Sequence, residues 1–590
     1  LTAQPYRFKA RPWDLEKNES TCTTCSVGCR ITVESSRDEL LRYQGVDSDP
    51  VNHGWLCDKG RFNFESVKND QRLTEPMVKH NGALVPTSWS SALSTAAGLI
   101  SQAVKDNGAQ SVAIIGGARG TNEDAYAWSL FAQALGVINV DAQLDDGLPA
   151  SVYGYSQATI DQAANATTVI LLSPDLKEEL PILYLRLRDA SEKKRSKLIE
   201  FAPKQTGITR YAWKSVAYEP GNQVAVVAST LVDATIAAQV AKGSVVVVVG
   251  RANLAEDDSF TMAALDAVMA AAPNATVLPV IRRGNVRGAI ETGLVTGSTT
   301  SILRSAAAGK INCLILLGAD PIADVRDTEL ARQAMAAVQH VIAVDTFASS
   351  SSQRADVLLP AAAFGEKDGT TTNLEGRVTQ LNRKVNVHGT ARPDWMIALE
   401  LADYLGHDLG VGSVQEVHQQ LVNKVAAFGD ATRAALAVNP DGVLLRRSNG
   451  HSSAASSPAV PDRPGFGYRL VVSRKLYDNG SNVAHSASLA PLAPGSSLHM
   501  HPLDLDRLEA RNSELREHFE DGDEFQVLAF FEGLRLDSRS ASRVQLLLDH
   551  SFVEGRLDQI TEHFLTGVSF ETLTDHAHRY FARTEACNLG

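Results

Sequence analysis

Cys22, Cys25, Cys29 and Cys57 are four of only six cysteines in 590 residues, spaced C-x2-C-x3-C-x27-C. Thiolates bunched this way, in a chain otherwise sparing of Cys, read as ligands for one iron–sulfur cube, a 4Fe-4S cluster. The loop Cys22-Thr-Thr-Cys25-Ser-Val-Gly28-Cys29 is short enough to wrap three of its corners. Gly28 lets the backbone turn sharply and approach an inorganic sulfide. Two blander readings compete. Zinc more often takes two paired Cys-x-x-Cys knuckles, and the second pair is missing. Disulfides suit an oxidising compartment, whereas a large acidic chain so poor in Cys reads as a protein of a reducing one.

The fourth thiolate must come back from a distance. Segments 30–34 and 40–44 read as two strands around a polar Ser-Ser-Arg-Asp turn, a hairpin that returns Trp55-Leu-Cys57 to the loop. After a connecting stretch, 82–85 reads as a strand and 88–105 as an amphipathic helix. Apolar, β-branched runs then recur at 111–115, 167–172, 197–201, 245–249, 275–280, 311–317 and 340–344. Ala-rich amphipathic segments such as 124–135, 224–240 and 328–338 lie between them. The alternation predicts parallel sheets with helices on both faces, and so many strands predict two α/β domains rather than one. Residues 449–464, rich in Ser and Pro, read as a linker. Beyond it, 468–473 and 524–531 read as strands of a small β-rich last domain.

Lys+Arg number 56 against 68 Asp+Glu, a net charge of −12, which argues against nucleic acid as the main partner. The longest apolar run, 244–250, is too short to cross a bilayer and reads as a buried strand. No signal peptide is evident, and the first residue is Leu rather than Met, so the expectation is a fragment or processed product of a cytoplasmic protein.

Gly54-Trp-Leu-Cys57-Asp-Lys59-Gly-Arg61-Phe, with the upstream C-x2-C-x3-C, is similar to the 4Fe-4S segment that opens the molybdopterin oxidoreductase superfamily. The stretch from Ala355 through Glu366-Lys367-Asp-Gly369-Thr-Thr-Thr-Asn373-Leu-Glu375-Gly-Arg377-Val378 is similar to another of its long motifs. Leu1 to Leu15 resembles the connector after the ferredoxin-like domains in the large iron–sulfur subunit (G type) of bacterial NADH:quinone oxidoreductase, respiratory complex I. A related connector occurs in NAD-linked formate dehydrogenases. The resemblance implies an α/β multidomain fold. Its parts would be an Fe–S domain (1–73), an α/β domain split over 74–150 and 301–440, and an inserted α/β domain (151–300). A linker (441–464) and a degenerate pterin-dinucleotide-binding, β-barrel-like domain (465–590) would follow. Residues 355–380 would return to the Fe–S domain, and sequence upstream of Leu1 would carry further clusters.

The same resemblance bears on the chemistry. In the superfamily a lysine at the position of Lys59 lies between cluster and pterin. Its plainer role is a cation that raises the potential of an anionic cluster and holds the loop, and Arg61 has the same alternative. The turn Gly116-Gly-Ala-Arg-Gly120 fails both G-x-G-x-x-G and Walker A, so strand–helix connection is its plainer role. Thr121 and Asp124 have capping-box spacing. Asp145 and Asp146 fall where active formate dehydrogenases carry a metal-ligating Cys or selenocysteine and a catalytic His. Cys313 sits inside an apolar strand and Cys587 at the far end, so neither replaces the missing thiolate. The pocket is therefore expected to be catalytically retired, with molybdopterin guanine dinucleotide and Mo or W absent. A carboxylate ligand at Asp145 stays open. Glu366, Lys367, Glu375 and Arg377 are expected in structural ion pairs.

Three functions are weighed. The first is a 4Fe-4S electron-transfer and scaffold subunit of NADH:quinone oxidoreductase, inactive as an isolated fragment. Its partners would be other peripheral-arm subunits, including the NADH/FMN-binding one. It would sit on the cytoplasmic side of the inner (plasma) membrane, held there only through the complex. The second is an active Mo/W oxidoreductase such as an NAD-linked formate dehydrogenase. The third is a non-redox scaffold with structural zinc.

Overall fold

Three antiparallel strands, Glu16–Thr21, Arg30–Ser36 and Glu39–Gly45, open the computed structural model, which describes residues 3–446 and 469–494. The Cys22–Cys29 loop joins the first strand to the second. Arg37 and Asp38, both at positive φ (53° and 63°), make the tight turn between the second and third. Two such residues in succession match the right-handed twist of the flanking strands. The sequence reading anticipated this second hairpin but not the first strand, whose EKNEST carries no apolar alternation.

Two parallel α/β sheets follow. The larger runs Ala83–Pro86, Met77–His80, Val357–Pro360, His340–Asp345, Cys313–Leu317, Val112–Gly116 and Asn139–Asp141. Its first two strands form an antiparallel hairpin on the edge, and the other five are parallel. The smaller runs Lys214–Ala217, Lys197–Ala202, Thr168–Leu172, Val245–Val249 and Thr276–Pro279, all parallel. Val112–Gly116, Thr168–Leu172, Val245–Val249 and Cys313–Leu317 are buried at every position, as strands covered by helices on both faces must be.

Each sheet has a topological switch point, between Val112–Gly116 and Cys313–Leu317 in one and between Thr168–Leu172 and Val245–Val249 in the other. Crevices at the carboxyl ends of such strand pairs are where doubly wound folds bind ligands. The expected capping box is present, Thr121 and Asp124 bonding reciprocally at the start of Asn122–Leu135. The expected helix over 224–240 is instead two, Gln223–Leu231 and Ala234–Val240, bent by 83° at Asp233. Asp233 caps the second, its carboxylate accepting from the N–H groups of Thr235 and Ile236. Among the described residues no single helix is long and apolar enough to cross a membrane.

The strand expected at 468–473 is a correction. Among the described residues, Arg469–Ser473 has no strand partner. Its backbone bonds to a loop of the smaller sheet, where Asn253 donates to the Leu470 carbonyl (3.0 Å) and accepts from the Val472 N–H (2.9 Å). The Leu254 N–H bonds the Val472 carbonyl (2.9 Å). Pairing with a loop supplies hydrogen bonds without building a sheet. The expected strand at 524–531, the whole 449–464 linker and Cys587 lie outside the described residues.

Candidate iron–sulfur site

The Cys22–Cys29 loop closes on itself, with the Cys22 N–H on the Cys29 carbonyl (2.8 Å), and is gripped from two sides. On one side, Ser26 N–H bonds the Arg282 carbonyl (3.2 Å) at the end of the smaller sheet. On the other, the Leu374 N–H bonds the Ser26 carbonyl (2.8 Å) and the Asn373 amide bonds the Val27 carbonyl (3.1 Å). Residues 369–381, a hairpin of Gly369–Thr372 and Arg377–Leu381, therefore reach the Fe–S segment through backbone and amide bonds. Gly28 adopts φ +64°, and a Cβ there would stand 2.9 Å from the Cβ of Asn373. The missing side chain thus makes room for Asn373.

Cys57 returns by a different device. Asn52, fully buried, accepts from the Arg30 N–H (2.9 Å) and donates to the carbonyls of Val46 (3.1 Å), Trp55 (3.0 Å) and Arg30 (3.3 Å). One side chain so ties the hairpin to the Trp55–Cys57 segment. Nothing in the sequence singled it out. Cys57 caps the helix Asp58–Phe62, its thiol accepting from the Gly60 N–H (3.4 Å). A Cβ on Gly60 would lie 3.1 Å from the Cys22 sulfur, so this helix abuts the loop.

Cys22 and Cys29 are buried, Cys25 and Cys57 half-buried, and all four are free thiols. Burial pushes every one of these thiols up, Cys57 to about 11, and neighbouring cysteines add to the shift at Cys25, Cys29 and Cys57. Lys59 acts in the opposite sense on Cys22, Cys25 and Cys57. Four crowded, dehydrated thiols resist ionisation until a cation neutralises them, which is the donor chemistry of a thiolate-ligated metal centre. Among the described residues, the one trio of potential metal-binding atoms within 4.8 Å of one another is the exposed Asp47, Asp49 and His53. No three of the four sulfurs are that close.

Lys59 points into a cavity that it lines together with Cys25, Cys57, Glu179 and Arg282. Its ammonium pairs with Asp478 (3.2 Å), 419 residues downstream. Arg61 donates its backbone N–H to the Cys57 carbonyl (2.8 Å) and does not line that cavity. From Asp478 a chain of mostly half-buried charges continues. Arg282 pairs with Asp478 and, at 3.6 Å, with Asp146. Asp146 also meets Arg283 (2.7 Å) and Arg474 (3.4 Å), and Asp324 meets Arg119 (3.5 Å) and Arg283 (4.0 Å). Burial works against the charge on Asp478, but Lys59 and Arg282 outweigh it and hold the carboxyl at about 2. Burial and then Arg282 push Arg474 down to about 10.

The acidic pair is thereby placed. Asp145, at φ 59°, accepts from the backbone N–H of Thr300 (3.0 Å) and from its hydroxyl, at the start of the helix Thr299–Ala307. Its carbonyl accepts from Arg251 (3.1 Å), which springs from the end of Val245–Val249. Cys313 is fully buried in its strand. The ion pairs of the long motif are Arg72–Glu366 (2.9 Å), Lys367 with Asp124 and Asp394 (2.7 Å each), and Arg377–Glu375 (2.5 Å). The Gly116–Gly120 turn engages two of its N–H groups, Gly117 bonding the Leu317 carbonyl of the neighbouring strand (2.8 Å) and Gly120 the Gly117 carbonyl (3.3 Å).

Comparison with known proteins matches residues 15–69 to the molybdopterin oxidoreductase Fe4S4 domain and residues 72–404 to molybdopterin oxidoreductase. The chain is 28% identical to NADPH-Fe(3+) oxidoreductase subunit alpha of Geobacter sulfurreducens, over 86% of this chain and 69% of that protein. It is 29% identical to the G-type subunit of the NADH-quinone oxidoreductase of Streptomyces coelicolor, over 81% of this chain and 62% of that protein. It is 25% identical to F420-dependent formate dehydrogenase 1 subunit alpha of Methanococcus maripaludis, over 72% and 76%. The solved structure of acetylene hydratase from Pelobacter acetylenicus shares the fold, with a TM-score of 0.53 at 15% identity over 85% of this chain and 82% of that one. With a match across more than half its length, and the cysteine loop inside the matched Fe4S4 segment, the chain belongs to the molybdopterin oxidoreductase family.

Proposed function

We propose that this chain is the cluster-carrying electron-transfer subunit of an NADH:quinone oxidoreductase, respiratory complex I, built around a molybdopterin site that no longer holds metal. Cys22, Cys25, Cys29 and Cys57 hold one 4Fe-4S cluster, with Lys59 and Arg61 beside it, and the chain divides into domains at the boundaries expected from its sequence. When bound, the cluster supplies a one-electron relay. The chain's own residues bury its thiolates, keep water from two of them and place a cation at its edge. The other peripheral-arm subunits, including an NADH/FMN-binding one, would provide donor and acceptor. Membrane contact, on the cytoplasmic side of the inner membrane, would come only through them. That one relative is named for NADH and quinone and another for NADPH and Fe(3+) fits a subunit whose partners choose the substrates.

The observation that carries the retired-pocket part is the engagement of both carboxylates. Asp145 caps a helix and Asp146 sits among three guanidinium groups. Neither is a soft donor, and neither is left to ligate molybdenum. The formate dehydrogenase relative favours the second reading, an active Mo or W oxidoreductase.

Iron, molybdenum and tungsten counted on one sample of the purified chain decide between them. The proposal expects about four irons per chain with neither heavy metal, and the Cys57→Ala variant losing the iron. Stoichiometric molybdenum or tungsten would overturn the retired pocket, and one zinc in place of iron would overturn the cluster.

A further inference from the structure

Residues 469–494 run across three parts of the molecule as a strap. Arg469 donates to the Pro220 carbonyl (2.6 Å) and Leu470–Val472 bond Asn253, all on the smaller sheet. Arg474 donates to the Asp324 carbonyl (2.7 Å), beyond a strand of the larger sheet. Tyr477 donates to Asp58 (3.2 Å), Asp478 takes Lys59, and Ser488 donates twice to Glu65 (2.7 Å each), all in the Fe–S segment. His485 stacks on Phe347 with ring centres 3.7 Å apart. The strap thus delivers one carboxylate, Asp478, from far along the chain to the cation that follows Cys57.

Asp478 is well suited to control that cation. Its side chain and that of Lys59 are 19% and 17% exposed, so little water screens the pair. The carboxylate is braced by three independent groups. Lys59 and Arg282 hold it from outside the strap, and the Gly480 N–H holds it from within (3.2 Å). Arg282 is itself anchored by Asp146, and its backbone carbonyl takes the Ser26 N–H of the cysteine loop. The carboxylate and the loop are therefore fixed relative to each other through one residue. A lysine with three rotatable donors on a flexible stem would otherwise sample several positions at the cavity edge.

We infer that Asp478 is the positioning residue for Lys59, fixing its ammonium beside the cysteine cluster site and thereby setting the reduction potential of the bound cluster. The inference rests on the 4Fe-4S reading of the four cysteines. Net charge and hydrogen bonding near the sulfurs are the levers by which a protein tunes such a potential. A fixed carboxylate at the far side of the ammonium offsets its field and keeps it from folding onto the sulfurs. Without that carboxylate the ammonium is released toward the sulfurs, where its positive charge favours the reduced, more negative cluster.

The test is a redox titration followed by electron paramagnetic resonance on the iron-containing chain and its variants. Asp478→Asn is expected to move the midpoint potential upward and Lys59→Gln downward. In the Lys59→Gln background the Asp478→Asn shift is expected to shrink to a minor part of its size, because the carboxylate acts through the lysine. Asp478→Glu, which keeps the charge, is expected to titrate near the parent. The titration reads only cluster-bearing molecules, so lower iron loading in a variant does not mask the shift. An unmoved potential in Asp478→Asn, or an equal shift with and without Lys59, would overturn the inference while leaving the cluster assignment intact. A parent chain with no 4Fe-4S signal would overturn both.

Discussion

Gly28 carries two constraints at once, a backbone at φ +64° and an Asn373 side chain where its Cβ would be. The first costs an L-residue about 1–2 kcal/mol, and the second forces the 369–381 hairpin away from the cysteine loop. Gly28→Ala is accordingly expected to lower the unfolding midpoint of the Fe–S segment and to speed iron loss on dilution several-fold, measured by absorbance of the released iron. An unchanged release rate would show that Asn373 does not clamp the loop. At this scale much was legible in the sequence. The cysteine spacing, the glycine and Lys59 all stood out because their chemistry is rare. Asn373 stood out only as part of the long motif expected to return to the Fe–S segment, and Asn52 and Asp478 did not stand out at all, since an asparagine or aspartate in a loop is ordinarily a turn residue. Their partners come from elsewhere in the chain: Arg30 for Asn52, Val27 for Asn373, and Lys59 for Asp478.

The elements follow the local pattern closely where burial is two-sided. Runs such as 245–249 became strands within a residue or so of the expected limits, because continuous β-branched apolar sequence suits a strand covered on both faces. Glu16–Thr21 and Arg469–Ser473 went the other way. The first is a polar strand held by its pairing to Arg30–Ser36, and the second is an apolar run that found a loop instead of a sheet. Asn253 is what tethers the latter. Asn253→Ala should release two hydrogen bonds of about 1 kcal/mol each. Amide exchange over 469–474 should then quicken by about an order of magnitude or more while iron content stays at its parent level. Exchange that stays at the parent rate would mean that Arg474 and Tyr477 suffice to hold the strap.

At the scale of the whole molecule, a buried charge can set how stability depends on pH. Asp345, closing the His340–Asp345 strand, is almost fully buried, and that burial pushes its carboxyl up to about 7. A folded-state value above the unfolded one means that stability from the neutral carboxyl is complete below about pH 4 and is lost as pH rises toward 7. Asp345→Asn removes that dependence. Its denaturation midpoint should match the parent near pH 4, exceed it increasingly up to pH 7, and hold a constant lead above. A lead independent of pH would show that the carboxyl ionises equally in both states.

By itself, the sequence determined the Fe4S4 motif, the alternation of strand and helix, and the family, because each is written in residues close together or in rare side chains at set intervals. The tertiary structure alone decided which distant charges meet: Asp478 with Lys59, and Asp146 with Arg282, Arg283 and Arg474. A charged side chain in sequence carries no address. Its partner is chosen only when burial removes water and leaves the opposite charge that packing has brought within reach.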